Sequence, residues 1–333
     1  MTSLFQKELS RYKKKFDSLF LGYIPKTPKS LWQPVIYHFK SGGKRWRPFL
    51  VRVIAKMYRV PSLESLPLEA IVELTHNWTL IHDDIEDGDT LRRGSPTVWK
   101  KFGIDYGVNS GDAMFALSFK ILKDSEKKWG RKNTLYVLEK FVEMLNLLTE
   151  GQNLEFDFRR KIGNIKISDY LTMIKKKTAA LPKFGLISIA KLGGARERAI
   201  KSLEVFCDNI FPAFQIRDDV LNLIGGKDCG EEVGGDIKEG KRTLPILHLM
   251  NNVSLRERNS LLKTLTKGRN RVASGEVKRV VGLMEEKKSI KYTFSFIEKL
   301  VIKGKEALFN IVPSRGRVIL EEIASWLSQK RDF

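Results

Sequence analysis

Residues 70–89 read AIVELTHNWTLIHDDIEDGD. Apolar side chains recur at spacings of three and four as far as Ile81, so the stretch predicts the end of a long helix, and its last turns become acidic. On such a helix Asp83 and Asp87, four apart, share a face about one turn from each other, with Asp84 beside them. Carboxylates so close raise one another's pKa unless a cation neutralises them. Two readings follow. One is an acidic helix end bathed in water. The other is a set of oxygen ligands for a divalent metal, for which Mg2+ suits best because it takes one or two carboxylates together with phosphate oxygens.

A second stretch favours the metal. In FPAFQIRDDVLNL, residues 211–223, an apolar helical run again carries adjacent acids, Asp218 and Asp219, with Asn222 where a third would mirror the first site. Aspartates within apolar sequence are unfavourable to bury unpaired, so a merely solvated face is the weaker account here. Between and around the two clusters lie cations: Lys44, Arg45 and Arg47 in GGKRWRP, Arg92 and Arg93, Lys175 to Lys177, and Lys238, Lys241 and Arg242. A ligand with two polyphosphate groups would use both signs, through metal bridges and through charge-assisted hydrogen bonds.

The rest of the chain reads the same way. Helical spacing runs nearly everywhere, without sustained strand alternation. Gly and Pro punctuate it near 22–34, 60–67, 102–111, 130–133, 161–168, 193–196, 225–240 and 313–316. The expectation is an all-α chain of about ten helices. With no linker-like composition and no repeat, residues 1–333 read as one domain. The amino-terminal residues 1–20 form an amphipathic helix rather than a signal peptide, and no uncharged apolar run approaches the ~20 residues of a membrane span. Any membrane contact is therefore peripheral. Sixty Lys and Arg against 39 Asp and Glu give a formal charge of +21. That favours polyanions, anionic membrane surfaces or phosphorylated small molecules, and it equally fits a plain solvated surface. No nucleic-acid motif accompanies the charge. Cys207 and Cys229 alone suit neither a disulfide framework nor a CxxC zinc site, so a reducing, cytoplasmic setting is expected.

The ordered set GGKRWRP, HNWTLIHDDIED, LRRGSPTV, SGDAMF, EGQ, KTAAL, FQIRDD and GGDIKEGKRTLP resembles the trans-isoprenyl diphosphate synthases, or polyprenyl synthetases. The likeness spans roughly residues 35–250, and residues 289–308 are similar to the last helices of that family. It implies the isoprenoid synthase fold, α-helices surrounding a deep central cavity, usually as a homodimer. It implies too a Mg2+-dependent activity, with several ions per site, that condenses isopentenyl diphosphate with an allylic diphosphate. Carried over by motif, Asp83, Asp84, Asp87, Asp218 and Asp219 would bind Mg2+. Lys44, Arg47, His76 and Arg93 would hold isopentenyl diphosphate, while Arg92, Lys177, Thr178, Gln215 and Lys241 would surround the allylic diphosphate. Asp83, Asp87, Arg92, Lys177 and Lys241 are the expected catalytic set. Each residue also has a plainer reading alone: His76 as a core histidine, Arg92 and Arg93 as surface charges, and Gln152 of EGQ as a packing residue.

Three departures from the family pattern stand out. Asn222 replaces the last acid of the second motif, Glu231 stands where many relatives have lysine, and Pro182 interrupts a helical run after KTAAL. These leave a catalytically impaired regulatory subunit as the alternative to an active enzyme. Product length is read from Trp78, five positions before Asp83. In this family an aromatic there acts as a floor for the growing prenyl tail, and the motif resembles the archaeal type of geranylgeranyl diphosphate synthase. A twenty-carbon product is expected, with fifteen carbons as the runner-up and ordinary core as the other role for Trp78.

Overall fold

Ser3 opens the first helix: its hydroxyl accepts from the Gln6 backbone N–H, and the Gln6 side chain accepts from the Ser3 backbone N–H. The computed structural model describes residues 3–160, 165–225 and 233–328. In chain order these form α1 (Leu4–Leu21), α2 (Lys29–Lys40), α3 (Trp46–Met57), α4 (Ser62–Glu86), a short hairpin of β1 (Leu91–Arg92) and β2 (Ser95–Pro96), α5 (Val98–Phe102), α6 (Ile104–Asp124) and α7 (Glu126–Arg160). Next come α8 (Ile167–Ile174), a π turn (Lys175–Ala179), α9 (Ala180–Leu192), α10 (Glu197–Ile224), α11 (Gly235–Lys238), α12 (Leu244–Asn251), α13 (Leu255–Leu265), α14 (Ser274–Glu286), α15 (Ser289–Ala307) and α16 (Arg315–Ser328). The protein is all-α apart from the hairpin, whose turn residues Arg93 and Gly94 both have positive φ, as a two-residue hairpin loop requires. Among the described residues no helix is long and apolar enough to cross a membrane.

Contacts divide the chain into two compact units. The first comprises Met1–Met144, Leu181–Glu204 and Asn310–Ile323; the second comprises Leu145–Ala180, Val205–Phe309 and Ala324–Phe333. In the first unit α4 is buried on all sides from Ser65 to Thr75 and packs against α3 and α6. Ser65, Glu69, Glu73 and Asn77 recur every four residues along one face of it, and this polar stripe can be buried because Arg52 and Ser65 bond Glu69 while Arg45 and Asn77 bond Glu73. Pro67 cannot donate to the Leu63 carbonyl, and Lys128 Nζ takes that carbonyl instead at 2.9 Å. From α1, Phe5, Phe16 and Phe20 are buried. Each such side chain contributes about 1.5–3 kcal/mol.

In the second unit, Leu223, Ile237, Ile246, Leu249, Leu261, Val280 and Met284 form a core. Residues 167–192 are helical throughout but not one regular α ladder. Pro182 would crowd the Thr178 carbonyl of a continuous α ladder, and the π turn at Lys175–Ala179 falls where the ladder would fail, so Pro182 sits in the first turn of α9. Gly151 of α7 lies against that turn: a β carbon on it would come within 2.3 Å of the Lys177 backbone nitrogen. Only glycine lets the two backbones approach so closely.

Candidate active site

The first unit carries the cations of the GGKRWRP loop and the first acidic motif. Lys44 is exposed and Arg47 half-buried. Arg47 Nη1 lies 2.9 Å from His76 Nε2. Guanidinium has only donors, so this imidazole nitrogen accepts and the ring is neutral. Burial, then the charge of Arg47, depresses His76 well below the usual histidine range, which fits the same state. His76 is thus a hydrogen-bonded, neutral histidine whose partner is a motif arginine. Arg93, exposed at the hairpin tip, donates to the Gly42 carbonyl at 2.5 Å. These four residues, predicted from three motifs, are carried by the 42–45 loop, the start of α3, α4 and the hairpin.

Asp83 and Asp87 are half-buried at the end of α4, Asp87 being its C-cap. Asp84 differs from them. It is 1% exposed, and Arg92 Nε donates to its Oδ1 at 2.6 Å. Burial pushes the Asp84 carboxyl up to about 7 against the pull of Arg92, and its Oδ2 is buried without a hydrogen-bond partner. Arg92 and Asp84, assigned by motif to substrate and metal, are thus joined to each other. Trp78 is buried, with its ring edge-on to His82 at 5.5 Å and to Phe115 at 5.7 Å. The aromatic contacts continue through Phe119 and Phe141 to Phe184. Gly111 of SGDAMF makes room for His82, since a β carbon there would fall 2.1 Å from His82 Nε2.

The second unit holds a connected polar chain. Thr178 Oγ1 donates to Gln215 Oε1 at 3.0 Å, Gln215 Nε2 to Asp219 Oδ1 at 2.8 Å, and the fully buried Tyr170 hydroxyl to Asp219 Oδ2 at 2.5 Å. Burial and the neighbouring Asp236 charge push Asp219 up to about 7, opposed by the Tyr170 and Gln215 hydrogen bonds and by Lys241. Asp218, the other acid of the motif, is half-buried. Lys177 Nζ lies 2.7 Å from Glu155 Oε2, and Arg159 bonds the other oxygen. Burial would raise Glu155, but Lys177, Lys241 and Arg159 outweigh it and hold the carboxyl well below its usual range. Lys241 pairs with Asp236 at 3.2 Å and Glu239 at 2.7 Å.

Asn222 has a structural task. Its Oδ1 accepts the Asp236 backbone N–H at 2.9 Å, and its carbonyl accepts from Gly234 at 2.7 Å, so the third position of the motif anchors the start of α11. Tyr170, Glu155 and Asp236 were not singled out by motif reading. Glu155, three positions after Gln152 on α7, carried the one usable signal, an acid on the EGQ helix. Glu231 lies outside the described residues.

Among the described residues no three His, Cys, Asp or Glu side chains converge on one point as an all-protein metal cage would require. The donor chemistry nonetheless fits Mg2+, which takes one or two carboxylates and completes its shell with water and phosphate oxygens. Asp83 with Asp87, and Asp218 with Asp219, are such pairs.

Known proteins resemble this chain in sequence and fold. The polyprenyl synthetase family model matches residues 28–284. A geranylgeranyl diphosphate synthase of Sulfolobus acidocaldarius is 30% identical over 303 residues, 91% of this chain and 90% of that protein. A geranylfarnesyl diphosphate synthase of Aeropyrum pernix is 28% identical over 321 residues, 94% of this chain and 98% of that protein. The solved structure of geranylgeranyl pyrophosphate synthetase from Pyrococcus horikoshii superposes with a TM-score of 0.89 at 31% identity, covering 99% of this chain and all of that one. Buried acids paired with motif arginines and lysines, on an all-α fold shared along its whole length with such enzymes, lead to one conclusion: this chain belongs to the polyprenyl synthetase family.

Proposed function

We propose that the protein is a Mg2+-dependent trans-prenyltransferase that condenses isopentenyl diphosphate with allylic diphosphates and releases geranylgeranyl diphosphate. The observation that carries this reading is that buried acids stand in charged pairs with the motif cations: Asp84 with Arg92, Glu155 with Lys177, and Asp236 with Lys241. Loss of diphosphate from an allylic carbon needs no attacking side chain; it needs the departing charge stabilised in a preorganised site. Mg2+ held by Asp83 and Asp87, and by Asp218 and Asp219, would supply part of that stabilisation. Lys177, Thr178, Gln215 and Lys241, with Arg92, hold the allylic diphosphate. Lys177 and Lys241 already stand in charged pairs with Glu155, Asp236 and Glu239, so substrate oxygens replace carboxylates as acceptors. Lys44, Arg47 and Arg93 hold isopentenyl diphosphate, with neutral His76 steering Arg47. The allylic C–O bond breaks with its electron pair leaving on diphosphate. The isopentenyl double bond attacks the resulting cation, and the proton lost from the new chain passes to the released diphosphate.

Trp78, closed in by Phe115, is the floor that sets a twenty-carbon product. Residues 1–333 act as one catalytic domain in the cytoplasm, with any membrane contact peripheral. A second copy of the chain is the partner. Ile104, Val108 and Phe115 of α6 and Leu135 and Val142 of α7 are exposed apolar side chains at helical spacing, the pattern of an isologous helical interface.

The test is incorporation of radiolabelled isopentenyl diphosphate onto dimethylallyl, geranyl and farnesyl diphosphates with Mg2+, followed by product chromatography. Twenty-carbon product that vanishes with chelator supports the reading. No incorporation with any primer favours the alternative, a regulatory subunit.

A further inference from the structure

Within the stretch Gly42–Pro48 the three cations do not behave alike. Lys44 is exposed and Arg47 half-buried, while the Arg45 side chain between them is 4% exposed. Arg45 has a left-handed backbone, φ 55°, unusual for a residue with a long side chain, and this turns its guanidinium inward between α1, α2 and α4. Four of its five N–H donors are engaged there. Nε donates to Asp17 Oδ1 of α1 at 2.7 Å, and Nη1 to Glu73 Oε1 of α4 at 2.9 Å and to the Gly42 carbonyl at 3.1 Å. Nη2 donates to the Phe39 carbonyl at the end of α2 at 3.1 Å. Glu73 is itself fixed: Asn77 Nδ2 donates to its Oε1 at 3.0 Å, and Asn77 Oδ1 faces His38 Nε2 at 3.0 Å.

Two details connect this buried knot to the neighbouring cations. The Gly42 carbonyl that accepts from Arg45 is the same one that Arg93 grips from the hairpin. And a β carbon at Gly43 would fall 2.3 Å from Arg45 Nη1 and 3.2 Å from Arg93 Nη1, so the glycine pair is shaped around both guanidinium groups. Arg45 fixes the backbone immediately after Lys44 and two residues before Arg47. Its own charge is offset by two carboxylates, which makes it a poor anion ligand and a good anchor.

We propose that Arg45, braced by Asp17 and Glu73, is a positioning residue for isopentenyl diphosphate: it holds Lys44, Arg47 and Arg93 in the spacing that one diphosphate group requires. This rests on the assignment of those three cations to isopentenyl diphosphate. It extends the binding site to α1, outside the acidic and basic motifs. The fork of Arg45 is the feature that lysine cannot reproduce, because a single ammonium cannot serve Asp17, Glu73 and two carbonyls in fixed directions.

The experiment compares Arg45→Lys, Asp17→Asn, Arg45→Ala and Lys44→Ala by steady-state kinetics for each substrate separately, with Tm measured alongside. Arg45→Lys is expected to raise KM for isopentenyl diphosphate about tenfold, and Asp17→Asn about threefold, while KM for the allylic substrate stays at the parental value. Asp17 is a third exposed, so Asp17→Asn keeps the question answerable should Arg45→Ala fail to fold. A lowered Tm with both Michaelis constants parental in Arg45→Lys and Asp17→Asn makes Arg45 a stability residue only and overturns the proposal. A parental isopentenyl diphosphate KM in Lys44→Ala overturns instead the assignment on which it rests.

Discussion

Tyr170→Phe removes one oxygen from the second unit and isolates the effect of a single hydrogen bond on a motif carboxylate. The hydroxyl is fully buried and donates to Asp219 Oδ2 at 2.5 Å. A hydrogen bond to the ionised form favours that form, so its loss must raise the Asp219 pKa further. Such a bond to a charged group is worth roughly 1.5–3 kcal/mol, or about one to two pKa units. With the parent carboxyl at about 7, roughly half is ionised at pH 7, and a shift to about 8 leaves roughly a tenth, a loss of about fivefold. At pH 9 a carboxyl at about 8 is roughly nine-tenths ionised and the difference nearly closes. The assay is the Mg2+ concentration for half-maximal turnover between pH 6 and 9. The acid limb of its profile should move up by a unit or more in Tyr170→Phe, with parent and variant converging at the alkaline end. A folded variant whose acid limb coincides with that of the parent would refute the claim that Tyr170 tunes the carboxylate.

Trp78→Ala should shift the product distribution toward chains longer than twenty carbons while lowering stability by about 3–5 kcal/mol, the usual result of emptying a buried indole site. An unchanged chain length in a folded variant removes Trp78 as the floor. Asp84→Asn bears on pH and stability in metal-free protein. Because the folded pKa of Asp84 is raised to about 7, its stabilising contribution is fully present below about pH 4 and is lost as pH rises through 7. The variant, which keeps an acceptor for Arg92, should therefore gain on the parent by up to about 4 kcal/mol between pH 4 and 7, seen as diverging denaturant midpoints. Parallel midpoints would mean that Asp84 is ionised throughout.

What the sequence displayed most clearly was repetition under constraint. Apolar side chains at spacings of three and four located α4 and α10, and the twin DD motifs marked where those helices carry acid. The separate tasks of adjacent acids were not legible. Asp83, Asp84 and Asp87 look equivalent as letters. At the end of α4, however, a rotation of about 100° per residue points Asp84 into Arg92 and leaves Asp83 and Asp87 on the other side. The same applies to Arg45 among its neighbours. A left-handed φ, invisible in composition, turns one cation of three inward. The hairpin at Leu91–Pro96 also escaped notice, because two-residue strands are too short for alternation to register.

The missing acid at Asn222 shows how local structure can account for a departure from a motif. An aspartate there would place a third charge within a turn of Asp219, whose carboxyl burial and Asp236 already raise to about 7. It would still accept the Asp236 backbone N–H. Asparagine keeps the acceptor, and with it the anchoring of α11 and of the strand of chain that carries Lys241, without adding to the repulsion at Asp219. On this account Asn222 belongs to the support of Lys241, and under the proposed function the two acids that precede it would serve as oxygen ligands for an ion that draws the rest of its shell from substrate and water.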